Sequence, residues 1–269
     1  MPWRWQRVCE TCGCSDAGGV RVGIPGQRVA RGGNDHDHPH DADHADHPHV
    51  HQHPAETRTI TLEQNVLAKN DALAAANRSW LAARGIAAVN LMSSPGAGKT
   101  SLLERTIRES AGRRAMSVVE GDQETLFDAE RIKATGAPVV QINTGAGCHL
   151  DADMLRRGLD ALHPAAGSLL FVENVGNLVC PALFDLGESA KVVIISVTEG
   201  DDKPLKYPHM FAAADLVVVN KTDLLPYVDF DLARCTNDAR SVNPGVELVA
   251  LSVRTGEGMS DWTAWLQAL

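Results

Sequence analysis

The sequence predicts an α/β domain, a doubly wound and mostly parallel sheet, behind a disordered His-rich N-terminal tail. Three observations carry that expectation: a break in composition near residue 57, short apolar runs alternating with helical stretches beyond it, and a Gly-rich turn after the first run. In this chain of 269 residues, positions 1–57 are dominated by Gly, Asp, His and Pro, offer almost nothing to a core and read as a tail, whereas 58–269 read as the folded domain. The domain opens with a helix. Thr61-Leu-Glu-Gln64 has the form of a capping box, and Leu62, Val66, Leu73, Asn77 and Trp80 fall near helical spacing up to Gly85. The runs Ala88–Met92, Ser117–Glu120, Val139–Ile142, Leu169–Glu173, Val192–Val197, Leu216–Asn220 and Val246–Leu251 are too short and too continuous for half-exposed strands, so they predict a parallel sheet covered on both faces. Trp262, Trp265 and Leu269 then close the domain with a C-terminal helix.

Composition narrows the function classes. With 25 basic and 34 acidic residues the formal charge is −9, which argues against nucleic acid as the main ligand, because a basic footprint supplies most of that affinity. Apolar runs fall short of the roughly 18 residues that a spanning helix needs, so no membrane association is expected. Met1–Val20 has no stretch of signal-peptide type, which makes the cytoplasm the expected compartment. In that reducing setting the six cysteines read as metal ligands or buried thiols rather than disulfides.

The segment Ser93-Ser94-Pro95-Gly96-Ala97-Gly98-Lys99-Thr100 follows the first apolar run and precedes a helix carrying Leu102, Leu103 and Ile107. A phosphate cradle needs this arrangement: converging backbone N–H groups from Gly96, Ala97, Gly98 and Ser101, a Lys for the terminal phosphates, and a Thr hydroxyl for Mg²⁺. The strict P-loop pattern begins with Gly where this chain has Ser93, a departure expected only to tighten the turn. An incidental Gly/Ser-rich turn is the alternative, and the flanking strand and helix weigh against it.

Asn220-Lys221-Thr222-Asp223 ends a strand at the edge where open α/β sheets bind ligands. A carboxylate at Asp223 accepts both N1–H and the exocyclic amine of guanine, a pair of donors that adenine lacks. Asn220 and Lys221 would brace the loop, and Ser252 and Val253 would add backbone N–H contacts to the base. Between these motifs, Glu173-Asn174-Val175-Gly176 resembles the D-x-x-G element of GTPases with Glu for Asp, which makes Glu173 a Mg²⁺-shell candidate. Asp122, after another strand, is the second. Asn177 stands where a water-orienting Gln is placed in Ras-like proteins, so hydrolysis is expected to be slow. The alternative is that both carboxylates merely cap loops.

Metal chemistry is indicated in three places. Cys9-Glu-Thr-Cys12-Gly-Cys14 puts three thiols within six residues, suited to a soft or borderline divalent ion. Eight of the eleven histidines lie between His36 and His53, a run that would bind Ni²⁺ or Zn²⁺ weakly and multivalently. Inside the domain, Cys148-His149 sits in the loop Asn143–Leu150 and Cys180 follows Glu173 by seven residues, so two thiolates and an imidazole are expected to meet. Cys235, His163 and His209 lack ligand partners in sequence.

Taken together, Cys9-x-x-Cys12-x-Cys14, the His-rich insert, Ser94-Pro-Gly-Ala-Gly-Lys-Thr100, Gly121-Asp122, Cys148-His149-Leu-Asp151, Glu173-Asn-Val-Gly-Asn-Leu-Val-Cys180-Pro181, Asp202-Lys-Pro-Leu-Lys-Tyr-Pro208 and Asn220-Lys-Thr-Asp223 resemble the HypB family of nickel-inserting GTPases of [NiFe]-hydrogenase maturation. The resemblance covers nearly the whole chain. It implies a SIMIBI-class P-loop GTPase that forms a homodimer around GTP, with Mg²⁺ as cofactor and Ni²⁺ or Zn²⁺ at the Cys148, His149 and Cys180 site near the dimer interface. It also implies a tight nickel site at the N-terminal cysteines in some members, and a maturation partner protein and the hydrogenase large subunit as partners. Lys99 and Thr100 carry over to phosphates and Mg²⁺, Asp122 and Glu173 to the switches, and Asp223 to guanine. Family members with the cysteine triplet usually begin Met-Cys, whereas here Met1–Arg7 and Val8 precede Cys9; the expectation is a translation start at position 8. Urease accessory GTPases are similar in the two nucleotide motifs but carry Cys-Pro-His, where this chain has Cys180-Pro181-Ala182. A nickel storage protein with a vestigial nucleotide site is opposed by the intact Lys99, Thr100 and Asp223. A small-molecule kinase would need an acceptor pocket and basic lid that are not evident.

Overall fold

The computed structural model describes residues 21–23, 55–110, 112–122, 127–145 and 147–269. The cysteine triplet Cys9, Cys12 and Cys14, the His run and the region of Val8 lie outside the described residues.

One eight-stranded sheet organises the chain: β1 (Arg21–Gly23), β2 (Ala87–Ser93), β3 (Met116–Asp122), β4 (Val139–Asn143), β5 (Leu169–Glu173), β6 (Ala190–Ser196), β7 (Leu216–Asn220) and β8 (Glu247–Ala250), in the order β1-β4-β3-β5-β2-β6-β7-β8. All neighbours are parallel except β1, which runs antiparallel to β4 along Gln141–Asn143. The seven parallel strands match the seven apolar runs in sequence. β1 was not anticipated: Arg21-Val-Gly23 is too short and too isolated among tail residues to show a period, and its pairing is long-range.

The helices are α1 (Ala55–Ala82), α2 (Lys99–Glu109), α3 (Phe127–Lys133), α4 (Ala152–Leu162), α5 (Lys203–Lys206), α6 (Pro208–Ala212), α7 (Leu232–Val242) and α8 (Met259–Gln267). On one face, Val89, Leu91, Val118, Phe171 and Ile194 pack with Leu102, Leu103 and Ile107 of α2 and Trp262 of α8; on the other, Ala88, Val119, Ile142 and Val172 pack with Leu81 of α1 and Leu155 and Leu159 of α4. This double burial explains the continuous apolar strands, since every side chain of β2 and β5 is covered.

Three expectations are corrected. α1 starts at Ala55, directly after the last proline of the tail, so Thr61-Leu-Glu-Gln64 lies inside the helix and is not its cap. The buried stripe of α1 is Asn70, Ala74, Asn77 and Leu81, while Val66 is 50% exposed. Asn77 is an expected position of the stripe and Asn70 is not; both are buried because they bond to backbone: Asn70 Nδ2 donates to Asp185 O (2.8 Å), and Asn77 Nδ2 to Ala152 O (2.8 Å) and Leu186 O (3.1 Å). At the other end, α8 stops at Gln267 and Leu266 rather than Leu269 is buried; Trp262 is fully buried and donates from Nε1 to Thr106 Oγ1 at 2.8 Å.

Candidate functional site

The phosphate loop runs from the end of β2 into α2. Gly96 and Gly98 adopt φ of +76° and +101°, and a Cβ on Gly98 would stand 2.4 Å from Asn220 Nδ2, so glycine is required there by both backbone and space. Lys99 Nζ donates to Ser93 Oγ at 3.0 Å. The departure from Gly at position 93 therefore does more than tighten the turn: it supplies a resting partner for the phosphate-seeking lysine. Ser101 Oγ accepts from Arg131 at 3.1 Å, which ties the first turn of α2 to α3.

Beneath the loop lies a pair of carboxylates. Glu120 of β3 and Glu173 of β5 are cross-strand neighbours in register and both are buried. Thr100 Oγ1 donates to Glu173 Oε1 at 2.7 Å, while Glu173 Oε2 and Glu120 Oε2 receive no hydrogen bond. Burial, and then the charge of Glu173, push the Glu120 carboxyl up to about 9; burial also raises Glu173, opposed by the Lys99 ammonium and the Thr100 bond. Asp122 stands half-buried at the end of the same strand as Glu120. Glu120 escaped the sequence reading because it lies inside an apolar run, although strand alternation puts it on the same face as Asp122.

The base loop is braced as its residue types suggest. Asn220 Nδ2 donates to Ala97 O (2.9 Å) and Lys221 Nζ to Gly96 O (2.7 Å), so β7 and the phosphate loop hold each other. Asp223 Oδ1 accepts from Ser252 Oγ at 2.7 Å. The N–H groups of Ser252 and Val253 are engaged within the chain, by Glu257 O (2.9 Å) and Asn220 Oδ1 (3.2 Å), so a base contact from them requires sharing. Glu199, three residues past β6, also went unnoticed: it accepts from the Ser94 hydroxyl and from Ser196 N (3.1 Å), with Lys203 Nζ 3.6 Å away. A strand-end position was the available signal.

Two further loops bring Cys148, His149 and Cys180 together, with ligand atoms all within 4.8 Å of one another. Cys148 Sγ lies 3.7 Å from His149 Nδ1, and the imidazole stacks on Phe184 with centroids 3.9 Å apart. Burial lowers the His149 pKa, which keeps its lone pair available at neutral pH. Cys180 opens a 3-10 turn, Cys180–Leu183, and is buried. Asn177 Oδ1 accepts from Val179 N at 2.8 Å, so this side chain shapes the approach to Cys180. Cys235 is buried in α7 and held up at about 12, an inert core thiol.

Residues 87–250 match the family model described as "CobW/HypB/UreG, nucleotide-binding domain". The hydrogenase maturation factor HypB of Azotobacter vinelandii is 58% identical over 213 residues, covering 79% of this chain and 70% of that protein. The chain belongs to the HypB family. Solved structures agree: HypB from Archaeoglobus fulgidus superposes with a TM-score of 0.71 at 41% identity, covering 75% of this chain and 98% of that one. HypB from Helicobacter pylori, solved in complex with nickel, gives 0.70 at 37% identity, covering 74% and 94%. The likeness to these HypB structures agrees with the parallel seven-strand arrangement. Among the described residues, no helix is long and apolar enough to cross a membrane.

Proposed function

We propose that this chain is a GTP-hydrolysing nickel metallochaperone that delivers or inserts Ni²⁺ during maturation of a [NiFe]-hydrogenase. The observation that carries the reading is the convergence of Cys148, His149 and Cys180 in the domain that holds the Thr100–Glu173 pair. Two thiolates and a neutral imidazole suit borderline ions such as Ni²⁺ and Zn²⁺, which here are cargo. The nickel complex of the Helicobacter pylori HypB structure supports the same choice.

The backbone from Gly96 to Ser101 cradles the phosphates, and Lys99 exchanges Ser93 for phosphate oxygens. Thr100, Glu173 and Asp122 would hold Mg²⁺, directly or through water; the unbonded Glu173 Oε2 fits such a role. An ion held there would supply positive charge toward the phosphates. Asp223, oriented by Ser252, accepts from guanine. Asn177, a carboxamide whose Oδ1 accepts from Val179 N, cannot serve as a general base, and turnover is slow.

We further propose a GTP-dependent homodimer, a cytoplasmic location that keeps the thiols reduced, and the 1–57 segment as a second metal-binding region ahead of the 58–269 GTPase domain. The maturation partner and the hydrogenase large subunit are the proteins it serves. The test is titration of Ni²⁺ and Zn²⁺ into the full chain and a chain lacking 1–57, each with and without Cys180→Ser. In the shortened chain Cys180→Ser should weaken binding at least about 10-fold. Unchanged affinity removes the thiolate site from this reading.

A further inference from the structure

Asn174 is buried at the point where β5 enters the loop toward Cys180, and its side-chain oxygen, side-chain nitrogen and backbone N–H are all bonded. Its Oδ1 accepts two backbone donors, Val175 N at 3.0 Å and Leu150 N at 3.1 Å. Its Nδ2 donates to Asn90 Oδ1 at 3.3 Å, and Asn90 in turn donates to Glu188 Oε1 at 3.1 Å. Its own N–H is held by Leu91 O at 3.0 Å. Leu150 directly follows His149. One carboxamide thus joins the strand end that carries Glu173 to the loop that carries Cys148 and His149.

The same short segment abuts the phosphate loop on both sides of Asn174. Glu173 takes the Thr100 hydroxyl, and Gly176 lies so close to Pro95 that a Cβ there would stand 3.3 Å from Pro95 Cα. A change in the phosphate loop that disturbs Thr100 or Pro95 therefore acts on residues 173–176 as a unit. Those residues have two exits. One runs along the chain to Cys180. The other crosses through Asn174 to Leu150, next to His149, while Phe184 beyond the Cys180 turn stacks on the same imidazole.

We infer that Asn174 is the positioning residue that couples the nucleotide to the Cys148–His149–Cys180 site, setting the separation of the two loops that supply its ligands. The inference rests on the metal site proposed above. Through this bond, movement of the β5 end on one side changes where His149 stands relative to Cys180 on the other. A network of fully satisfied buried groups suits such a role, because breaking any one bond leaves an unpaired group and so favours two discrete arrangements over a continuum.

The measurement is the coupling factor: the ratio of Ni²⁺ affinities of the 1–57-deleted chain with and without Mg²⁺ and a non-hydrolysable GTP analogue, checked reciprocally as the ratio of nucleotide affinities with and without Ni²⁺. In wild type the factor should fall within the usual range of about 5- to 150-fold. Asn174→Ala should bring it to within about 2-fold of unity, whereas Asn174→Asp should retain it, since Oδ1 still accepts both N–H groups and a carboxyl kept protonated by burial donates to Asn90 Oδ1 in place of Nδ2. An Asn174→Ala chain that couples like wild type, or an Asn174→Asp chain that uncouples as fully as the alanine, overturns the assignment. A wild-type chain that binds Ni²⁺ without any coupling overturns the switch itself, and one that binds no Ni²⁺ overturns the site. If the alanine variant does not fold, hydrogen exchange at the Leu150 amide of the wild-type chain decides: its protection should differ between nucleotide-free and GTP-analogue states, and identical protection refutes the role.

Discussion

Around the phosphate loop, bonds run from one nucleotide element straight to the next: Asn220 holds Ala97, Lys221 holds Gly96, Glu199 takes the Ser94 hydroxyl, and Gly98 is packed against Asn220. The Cys148–His149–Cys180 trio is assembled differently. Its ligand residues come from two loops, one of them joined to the β5 end by Asn174, and the turn bearing Cys180 follows Val179 at 42% exposure and ends in Leu183 at 50%. A cradle built this way is preorganised and meets its ligand with little movement, while loops held by a few bonds next to exposed apolar side chains are the part that can yield. The difference teaches where a switch would act under the proposed function: at the loops that supply Cys148, His149 and Cys180 rather than within the cross-braced cradle.

The strongest way to break that contrast is Lys99→Ala. Removing the charge proposed to meet the terminal phosphates should lower GTP turnover on the order of 100-fold or more, by loss of preorganised charge stabilisation. Ni²⁺ affinity without nucleotide should stay as in wild type, because among the described residues Lys99 donates to Ser93 and not to the loops that carry Cys148, His149 and Cys180. Single-turnover hydrolysis alongside a Ni²⁺ titration reads both quantities. Turnover within a few-fold of wild type would mean that the cradle is not the catalytic part.

Asp223→Asn sharpens the comparison from the base side. Guanine affinity should fall on the order of 100-fold and xanthine affinity rise, since the amide presents a donor where guanine also donates. Ser252 loses nothing essential, for its hydroxyl can still donate to the side-chain oxygen. Competition of GTP, XTP and ATP for a fluorescent nucleotide gives the order directly; equal competition by GTP and ATP in the wild-type chain would remove guanine specificity.

The same contrast explains what was legible in the sequence. The strands showed as unbroken apolar runs, and the phosphate and base motifs showed because contiguous residues do contiguous work: Gly98, Lys99 and Thr100 act within one turn. Cys148, His149 and Cys180 were visible as residue types, and their meeting required the parallel order β4-β3-β5, which no local pattern encodes. Asn70 and Asn90 were illegible, and Asn77 and Asn174 showed as a stripe position and a motif letter without their buried bonds, for a different reason. A buried amide looks like a surface residue in composition, and only its backbone partners, supplied by distant segments, reveal that it belongs inside. Glu120 was hidden in the same way, as a charge written inside a strand.

Glu120 also yields the smallest of the expected effects. Its carboxyl sits beside Glu173, with Asp122 and Asp128 adding negative charge and Lys99 the opposing positive one, and its pKa is pushed up to about 9 from an ordinary 4.5. Below pH 4.5 the folded and unfolded chains both carry the proton, and this group makes no difference to stability. Between 4.5 and 9 the folded chain holds a proton that the unfolded chain has released, so stability falls as pH rises across that window and the full penalty is present above it. Glu120→Gln keeps the shape and removes the titration. In chelator and without nucleotide, the variant should match wild type near pH 4.5 and exceed it at pH 8.5 by roughly 1 kcal/mol or more, about 2–4 °C in Tm for a chain of this size. Such a gain would locate unsatisfied charge under the rigid cradle, where bound Mg²⁺ and nucleotide would relieve it, rather than in the yielding thiolate loops. Parallel Tm curves for the two proteins from pH 5 to 9 would show that Glu120 is already compensated, and the contrast between the two regions would then rest on hydrogen bonding alone.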